Sequence, residues 1–431
     1  MNLKPKLEAT LSSDQLRILH LVADAAPQNG LPLYIIGGSV RDLILGAVIK
    51  DLDLIVEGDA IALARTLGNI YGGKVTAHKK FGTAKWFLPK DFRMESSDTL
   101  DLISARSETY KHPAALPTVK MGSMDDDIHR RDFTINTLAI RLDGSHFGQL
   151  RDDLDGMGDL ENGIVRALHK NSFIDDPTRM YRAVRYAERY GFKISEETLD
   201  MIPGARSFIA KLSAQRIRHE LDLILEERNA ASMLARLAEL DLLQPIHSAL
   251  FFDGSMQERL GNLHTHRGLQ HPSPWNITKG GQLNDSDLGW LLWLMSFPKD
   301  GITSLNARLR FASDLLASLF AVSMMFDDQS SFVGLKPSEC VERLESFPVN
   351  AVKAMEYAVK DPRVKELFYE YISKWRYIKP HTTGDDLKAL GIEPGPRYTV
   401  ILRQLRNAWL DGELKTEDEE KRLLKTLVAG V

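Results

Sequence analysis

The stretch "YIIGGSVRDLILGAVIKDLDLIVEG", residues 34–58, determines how the N-terminal part of the chain folds. Its apolar start predicts a strand that ends at Gly37 and Gly38, and a helical pattern follows with Ser39 as its predicted N-cap. Because glycines leave the backbone amides at a helix N-terminus unobstructed, this turn suits a phosphate group. A glycine pair by itself is more often a plain strand-to-helix turn.

The second half of the stretch begins another strand with two aspartates. Side chains alternate along a strand, so Asp51 and Asp53 project from one face while Leu52 and Leu54 pack on the other. Two carboxylates this close repel each other unless a cation lies between them, and Mg²⁺ favours such oxygen ligands together with phosphate oxygens. A solvated strand edge is the alternative for this pattern alone, and the glycine turn upstream favours a metal site.

The whole chain has 431 residues, of which 43% are hydrophobic and 26% charged, and this length predicts several domains. A net charge of −4 excludes a uniformly basic nucleic-acid binder, so any such site must be local. The apolar runs are well below the roughly 18 residues of a membrane span, and the N-terminus lacks an apolar signal core, which predicts a cytoplasmic protein. The single cysteine, Cys340, excludes an internal disulfide and is expected to be buried and inert.

Residues 33–150 alternate short β-rich and helical segments, which predicts a mixed α/β domain around a small sheet. Beyond residue 150 helical periodicity takes over. In "DDPTRMYRAVRYAERYGF", residues 175–192, apolar side chains form one helical stripe, and the arginines are expected to point largely elsewhere as a basic face. Residues 251–282 are rich in turn formers and predict a linker or an insertion.

Five motifs in this order resemble those of the class II tRNA nucleotidyltransferase (CCA-adding enzyme) and bacterial poly(A) polymerase family, within the polymerase β-like nucleotidyltransferase superfamily. They are "GGSVRD" with "DLDL", "RRDFTINTLAI" (130–140), "DDLDGMGDLENGIVRAL" (152–168), "DDPTRMYRAVRYAERYGF" and "SAQRIRHEL" (213–221). The later stretch "TTGDDLKALGIEPGPRYTVIL" (382–402) is also similar, whereas residues 240–375 match little.

The resemblance implies an elongated α+β protein. An N-terminal nucleotidyltransferase head with a small mixed β-sheet (1–155) would be followed by an all-α neck with the base-reading motif (156–230), a body (231–350) and a tRNA-binding tail (351–431). The implied reaction is template-independent attack of a tRNA 3′-hydroxyl on the α-phosphate of CTP or ATP, for CCA synthesis or repair, with two Mg²⁺ ions. The alternatives are an A-adding or CC-adding partner of a split pair, a poly(A) polymerase or a non-catalytic RNA-binding protein.

The resemblance also assigns roles to residues of the head. Asp51 and Asp53 would hold the metal ions, and Asp101 is either a third catalytic carboxylate or an ion-pair partner of Arg106 or a nearby lysine. The residues that would bind the triphosphate are Gly37, Gly38, Ser39 and Arg41, with Asp42 expected to orient Arg41.

Asp176 and Arg179 are the predicted base readers. A carboxylate acceptor and a guanidinium donor one helical turn apart match the edges of cytosine and adenine, but not those of uracil and guanine. Arg182, on the same predicted helix, is a further nucleotide-binding candidate. The alternative is that Asp175 or Asp176 only caps the N-terminus of the helix. Capping and base recognition can both occur if Asp175 caps the helix and Asp176 recognises the base.

The motif "RRDFTIN" supplies the remaining nucleotide contacts. Asp132 and Asn136 are four residues apart on a predicted helix and suit a ribose 2′-hydroxyl. Arg130 and Arg131 are assigned to phosphate or base, with salt bridges to the upstream "MDDDIH" as the alternative.

Two departures and one loop bear on specificity. Asp175 and Gln215 stand where the family usually has glutamate, which leaves their local contacts open. The segment "SETYKHPAALPTVKMGSMDDD", residues 107–127, resembles the flexible loop of the family, and its presence favours addition of the terminal A.

From Lys374 to Arg406 the chain carries seven Lys or Arg against three acids, and aromatic residues interleave. The resemblance implies that this tail docks tRNA through its phosphates, whereas a solvated helical face is the alternative. The RNA-binding candidates are Lys374, Arg376, Arg397 and Arg403. His264, His266 and His271 lie among turn formers, where a plain loop is favoured over a metal site.

Overall fold

The computed structural model describes residues 1–28, 30–49, 52–92, 94, 97–265 and 284–429. It confirms the predicted α+β class, with an N-terminal mixed sheet and a helical C-terminal part. The chain forms two compact units: residues 1–216 with 239–246, and residues 217–238 with 247–431. The finer division into head, neck, body and tail stays a prediction.

The first unit is built on a seven-stranded sheet in which only β2 and β5 are parallel. Its order is β3-β4-β5-β2-β1-β8-β9. The strands are β1 (Leu33–Ile36), β2 (Asp53–Val56), β3 (Lys74–His78), β4 (Thr83–Phe87), β5 (Thr99–Ser104), β8 (Ala139–Arg141) and β9 (Gln149–Arg151). Two small pairs complete the set: antiparallel β6 (Arg106–Thr109) with β7 (Thr118–Met121), and parallel β10 (Ile164–Val165) with β11 (Lys193–Ile194).

Among its described residues, the first unit also contains ten helices that lie wholly within it. They are α1 (Lys4–Thr10), α2 (Ser13–Gln28), α3 (Gly38–Leu45), α4 (Ala60–Tyr71), α5 (Met124–His129), α6 (Gly156–Glu161), α7 (Ser172–Asp175), α8 (Thr178–Tyr190), α9 (Glu196–Asp200) and α10 (Ile202–Ala205). Single 3₁₀ turns lie at Lys79–Phe81, Lys90–Phe92, Thr134–Asn136, Gly144–His146 and Arg206–Lys211. Helices α11 (Ala214–Leu225) and α12 (Ala230–Glu239) run across the division between the units.

One helix packs on each face of the sheet, and neither covers the whole face. Helix α4, capped by the Asp59 side chain, packs its buried Leu63 and Leu67 on the side of the sheet that carries Trp86. Helix α5 packs on the other face, where Met124 joins a core of residues from β1, β2 and β8. Fully burying a side chain of this size contributes about 1.5–3 kcal/mol, so the alternation of the strands fixes which face each helix covers.

The second unit is all-helical in its described part. Its helices are α13 (Gly254–Thr265), α14 (Asp285–Leu294), α15 (Lys299–Leu309), α16 (Ser313–Asp327), α17 (Pro337–Leu344), α18 (Val349–Ala358), α19 (Pro362–Ser373), α20 (Gly384–Ala389), α21 (Pro396–Leu410) and α22 (Glu417–Ala429), with 3₁₀ turns at Gln329–Phe332 and Trp375–Tyr377. Trp290 and Trp293 stack at 5.3 Å in its core. Cys340 is fully buried as predicted, and burial raises the pKa of its thiol to about 12.

Two sequence-based expectations about elements are wrong. Residues 254–265 of the predicted linker form helix α13, which includes His264. The motif "RRDFTIN" forms only a 3₁₀ turn, and Asp132 precedes it. Within the predicted basic face of α8, Arg179 and Arg185 are buried. Among the helices of the described residues, none is both long and apolar enough to cross a membrane.

Candidate active site

The turn between β1 and α3 requires glycine. Gly37 occupies the N-cap position of α3 with a φ of 72°, a left-handed conformation that side chains disfavour. A Cβ atom there would lie 2.6 Å from Nη1 of Arg131. Ser39 is therefore not the N-cap as predicted, but a buried residue inside the first turn of the helix.

The carboxylates lie beside this turn. The register of β1 with β2 pairs Ile35 with Leu54, so its continuation sets Asp53 opposite Ile36, the residue before Gly37. Asp53 is exposed, whereas the three residues after it in β2 are buried. The other predicted metal ligand, Asp51, lies outside the described residues.

Asp101 is the direct neighbour of Asp53 across the parallel strand pair. On its other side Asp101 is in register with Lys85 of β4, whose ammonium lies 3.3 Å from its carboxylate. This lysine is the ion-pair partner considered as the alternative for Asp101. The two carboxylates and Lys85 line a cavity of about 320 Å³, together with Gln15, Leu52, Met94, Ser97 and Thr99. Asp101 therefore has a counter-charge and also faces the same space as Asp53.

Arg41 is held in the first unit with little solvent exposure. Its Nη1 donates to Oδ1 of Asn136 at 2.6 Å, and its Nε and Nη2 donate to Oδ1 of Asp42 at 3.0 and 2.9 Å. Its guanidinium also lies over the rings of Tyr186 and Tyr190, 5.1 and 4.8 Å from their centroids. Burial by itself would lower the pKa of Arg41, but Tyr190, Asp42 and Tyr186 raise it overall. Asp42 orients Arg41, as the sequence predicts.

Asp132 links Asn136, which accepts a hydrogen bond from Arg41, to helix α8. Its Oδ1 accepts from Nδ2 of Asn136 at 2.9 Å, and its Oδ2 accepts from Nε of Arg182 at 2.7 Å. Burial opposes ionisation of Asp132, but the charge of Arg182 and these hydrogen bonds lower its pKa to about 2. The structure thus brings together Asp132, Asn136 and Arg182, although the helix that was predicted to join the first two is absent.

The N-cap position of α8 is Pro177, so neither Asp175 nor Asp176 caps the helix there. Asp176 accepts from the amide of Thr178 at 3.0 Å and from its hydroxyl at 2.6 Å, whereas Asp175 is the last residue of α7. Arg216 also pairs with Asp176, at 2.6 Å. Arg179 is buried and donates to Oγ of Ser172 at 2.7 Å and to the Arg130 carbonyl at 2.7 Å.

Two residues of this region were missed in the sequence. Arg216 of α11 donates to both Asp176 and the carbonyl of Ala114, in the turn that follows β6. Tyr110 lies in the same turn, and its pKa is raised to about 12, first by burial and then by Glu108 and Asp176 against the influence of Arg179. The only signal for Arg216 was its place in the motif "SAQRIRHEL".

Arg130 and Arg131 both pair with the fully buried Asp127, at 2.7 and 2.9 Å. These are the salt bridges to "MDDDIH" that were considered as the alternative. Arg130 also pairs with Glu108, at 3.2 Å.

The segment that was predicted to be a flexible loop contains regular secondary structure. Strands β6 and β7 and helix α5 fall within residues 106–129.

The predicted RNA-binding residues lie in the second unit, where each makes a contact within that unit. Lys374 pairs with Glu370 at 2.9 Å and Arg403 with Glu342 at 3.5 Å. Arg397 donates to the Val428 carbonyl at 3.0 Å, and Arg376 lies 5.3 Å from the Tyr377 ring centroid. His266 and His271 lie outside the described residues, and within the described ranges no cluster of three or more metal-ligating side chains occurs.

Comparison with known proteins extends this picture. The chain matches the poly(A) polymerase head domain over residues 33–166 and the probable RNA- and SrmB-binding site of polymerase A over residues 191–251. An A-adding tRNA nucleotidyltransferase of Halalkalibacterium halodurans is 32% identical over 97% of this chain and 94% of its own length. An A-adding tRNA nucleotidyltransferase of Geobacter sulfurreducens is 35% identical over 91% of this chain, which spans 45% of that relative.

The solved structures agree with these relatives. A CCA-adding enzyme in an apo form superposes with a TM-score of 0.82 at 28% identity, over 100% of this chain and 99% of that chain. A Thermotoga maritima CCA-adding enzyme in complex with tRNA has a TM-score of 0.76 at 26% identity, over 100% of this chain and 98% of that chain. CCA-adding enzymes have also been solved with ATP and with CTP.

A mixed sheet that presents a glycine turn beside carboxylates on adjacent strands is the arrangement of a nucleotidyltransferase head. With the match along nearly its whole length, the chain belongs to the tRNA nucleotidyltransferase and poly(A) polymerase family.

Proposed function

We propose that this protein is a template-independent nucleotidyltransferase that extends the 3′ end of tRNA from CTP and ATP, in CCA synthesis or repair. The observation that carries the proposal is the placement of Asp53 and Asp101 side by side, next to the turn at Gly37. A cytoplasmic location, predicted from the sequence, is part of the same proposal because tRNA is the substrate.

The carboxylates fit magnesium chemically. Asp53 and Asp101 offer hard oxygen donors on adjacent strands facing one cavity, and Asp51 is the predicted further ligand. When bound, Mg²⁺ would supply charge neutralisation at the phosphates and a more acidic 3′-hydroxyl. Lys85 supplies positive charge at the outer side of Asp101, which limits the repulsion between the two acids.

The remaining residues of the site would position the nucleotide. Arg41 is a fixed cation one helical turn from the amides at Gly37 and Gly38, where a triphosphate would bind. Asp176 and Arg179 would read the base, and Arg216 would hold the Asp176 carboxylate in place. This assignment follows the family motif and the contacts around each side chain.

A second candidate is an A-adding enzyme that acts on tRNA already ending in CC. It is favoured because the A-adding relatives match 91% and 97% of this chain, whereas a CC-adding relative from Deinococcus radiodurans matches only 47%. A CCA-adding enzyme from Levilactobacillus brevis also matches 92% of the chain, at 26% identity. Both candidates use the same catalytic residues.

Product analysis tests the proposal. The purified protein is incubated with tRNA lacking CCA or with tRNA ending in CC, together with Mg²⁺, CTP and ATP, and the added nucleotides are sequenced. We expect complete CCA on the first tRNA, or a single A on the second if the A-adding candidate is right. Absence of any addition to both tRNAs would refute the transferase proposal, and a long A tail would show a poly(A) polymerase instead.

A further inference from the structure

Strands β3, β4 and β5 have one covered face and one open face. Trp86 and Leu100, which are in register, point to the side that α4 covers, and both are buried. Trp86 also donates its indole N–H to the Gly72 carbonyl at 2.9 Å. Because side chains alternate along each strand, the residues between these positions lie on the opposite face.

That opposite face is accessible. Across the strands, Lys74 is in register with Phe87 and then Thr99, and Thr76 is in register with Lys85 and then Asp101. Lys74 is exposed, and Phe87 keeps 39% of its surface exposed although it is a large apolar side chain. The open sheet face is defined as Lys74, Thr76, His78, Thr83, Lys85, Phe87 and Thr99.

The charge of the open sheet face suits a polyanion. Asp101 is the only acid among the residues of β3, β4 and β5, all of which the structure describes, and Lys85 pairs with it. Lys74 makes no ion pair within the described part of the chain, so its charge remains available. An exposed aromatic ring beside lysines is the combination that binds single-stranded nucleic acid, through base stacking and phosphate contacts.

The open sheet face continues directly into the catalytic carboxylates. The row of residues in register runs from Thr76 through Lys85 and Asp101 to Asp53. Neighbouring strands are about 4.8 Å apart, so Lys85 lies about two strand spacings from Asp53. Lys85 and Thr99 also line the cavity that contains both carboxylates. An RNA strand crossing this face would therefore end at the carboxylates.

We propose that the open sheet face binds the single-stranded 3′ end of the acceptor RNA. Lys74 would contact its phosphates and Phe87 would stack against a base, which directs the terminal hydroxyl towards Asp53 and Asp101. This inference rests on the proposed function and adds the surface that positions the acceptor, as distinct from the surface that binds the nucleoside triphosphate.

The variants Lys74→Gln and Phe87→Ala test this surface, with Phe87→Tyr as the conservative variant. Lys193→Gln is the matched control, because Lys193 is also an exposed strand lysine of the first unit. We expect the KM for acceptor tRNA to rise about threefold in Lys74→Gln and about tenfold in Phe87→Ala. The KM for the nucleotide should stay within about twofold of wild type, and Phe87→Tyr and Lys193→Gln should behave as wild type.

Direct binding separates this inference from the proposed function. A fluorescein-labelled RNA hexamer ending in CC is titrated into each variant, and its anisotropy is followed at several salt concentrations. Lys74→Gln should lower the slope of log affinity against log salt by about 0.7, the value for one phosphate contact on a single strand. Catalysis is not needed for this readout, and unchanged circular dichroism and thermal midpoints establish that the variants are folded.

Two results would overturn the inference. One is a wild-type affinity for the hexamer in both Lys74→Gln and Phe87→Ala. The other is a rise in the KM for the nucleotide that equals the rise in the KM for tRNA, which would assign the face to the triphosphate. If wild-type protein adds no nucleotide to any tRNA but Lys74→Gln still binds the hexamer more weakly, the proposed function fails while the RNA-binding surface stands.

Discussion

At the scale of single residues, the site depends on charged groups that are buried only because they are paired. Asp132 illustrates this, since burial alone would keep its carboxyl neutral, yet Arg182 and Asn136 hold it ionised. Arg41 is similar, with Asp42 and Asn136 accepting its hydrogen bonds. Removing one partner from such a pair leaves a buried charge without a counter-charge. This lowers the free energy of unfolding by more than the intact pair contributes to it.

Asp132→Asn should therefore destabilise the protein in a pH-dependent way. The pKa of Asp132 is lowered from 3.8 to about 2 in the folded protein. A depressed folded pKa means that the stabilisation is complete above the unfolded pKa and is lost as the pH falls towards about 2. At neutral pH we expect a loss of about 2 kcal/mol in the free energy of unfolding.

Urea unfolding of wild type and Asp132→Asn at pH 7, 4 and 3 measures this difference. Arg182→Gln is the complementary variant, because it removes the cation and should restore a more ordinary pKa. A stability difference that does not shrink between pH 4 and pH 3 would contradict the assignment of the ion pair.

At the scale of elements, the β1–α3 turn lies beside Asp53, and Arg41 follows Gly37 by one helical turn. Two features require glycine at position 37: its positive φ and the close approach of the Arg131 side chain. Gly46, at the other end of the same helix, has nearly the same φ, 71°, but open space around it. Their ψ values differ, −125° at Gly37 and 21° at Gly46, so of the two only Gly46 lies in the αL region that other residues adopt at a modest cost.

Gly37→Ala should raise the KM for the nucleotide at least tenfold, because the new methyl group displaces Arg131 and the turn that would bind the triphosphate. Gly46→Ala is expected to lose about 1 kcal/mol of stability from the left-handed backbone alone and to keep the wild-type KM. Steady-state kinetics and thermal unfolding of both variants measure this. Equal effects on KM would show that the turn at Gly37 has no special role.

The predictable parts of the site involve residues that are close in the sequence, whereas the unpredictable parts join residues that are far apart in the sequence. The glycine turn, the acidic face of β2 and the orientation of Arg41 by Asp42 follow from local pattern, and the structure contains the turn, exposed Asp53 and the Arg41–Asp42 pair. The Lys85–Asp101 pair and the Arg216–Asp176 pair depend on strand register and helix packing, which no single stretch encodes.

At the scale of the whole molecule, a small mixed sheet carries Asp53 and Asp101, and helices form most of the remaining chain. The α+β class was predictable because strand periodicity nearly ends at residue 150. Helix α13 was missed because its glycines and polar residues resemble a linker, although helical backbone forms there. A relative of the same family matches 97% of this chain, so both units of the chain belong to that family match.

The most direct test of the central claim is the rate of pyrophosphate release from ATP with tRNA ending in CC and Mg²⁺, compared between wild type and Asp53→Asn. Asp91→Asn is the control, because Asp91 is an exposed acid of the same unit and its backbone oxygen makes the contact to Arg17. We predict a loss of about a thousandfold or more in Asp53→Asn, with a rate within about twofold of wild type for Asp91→Asn and unchanged thermal midpoints for both. An Asp53→Asn protein that keeps about a tenth or more of the wild-type rate would contradict the account.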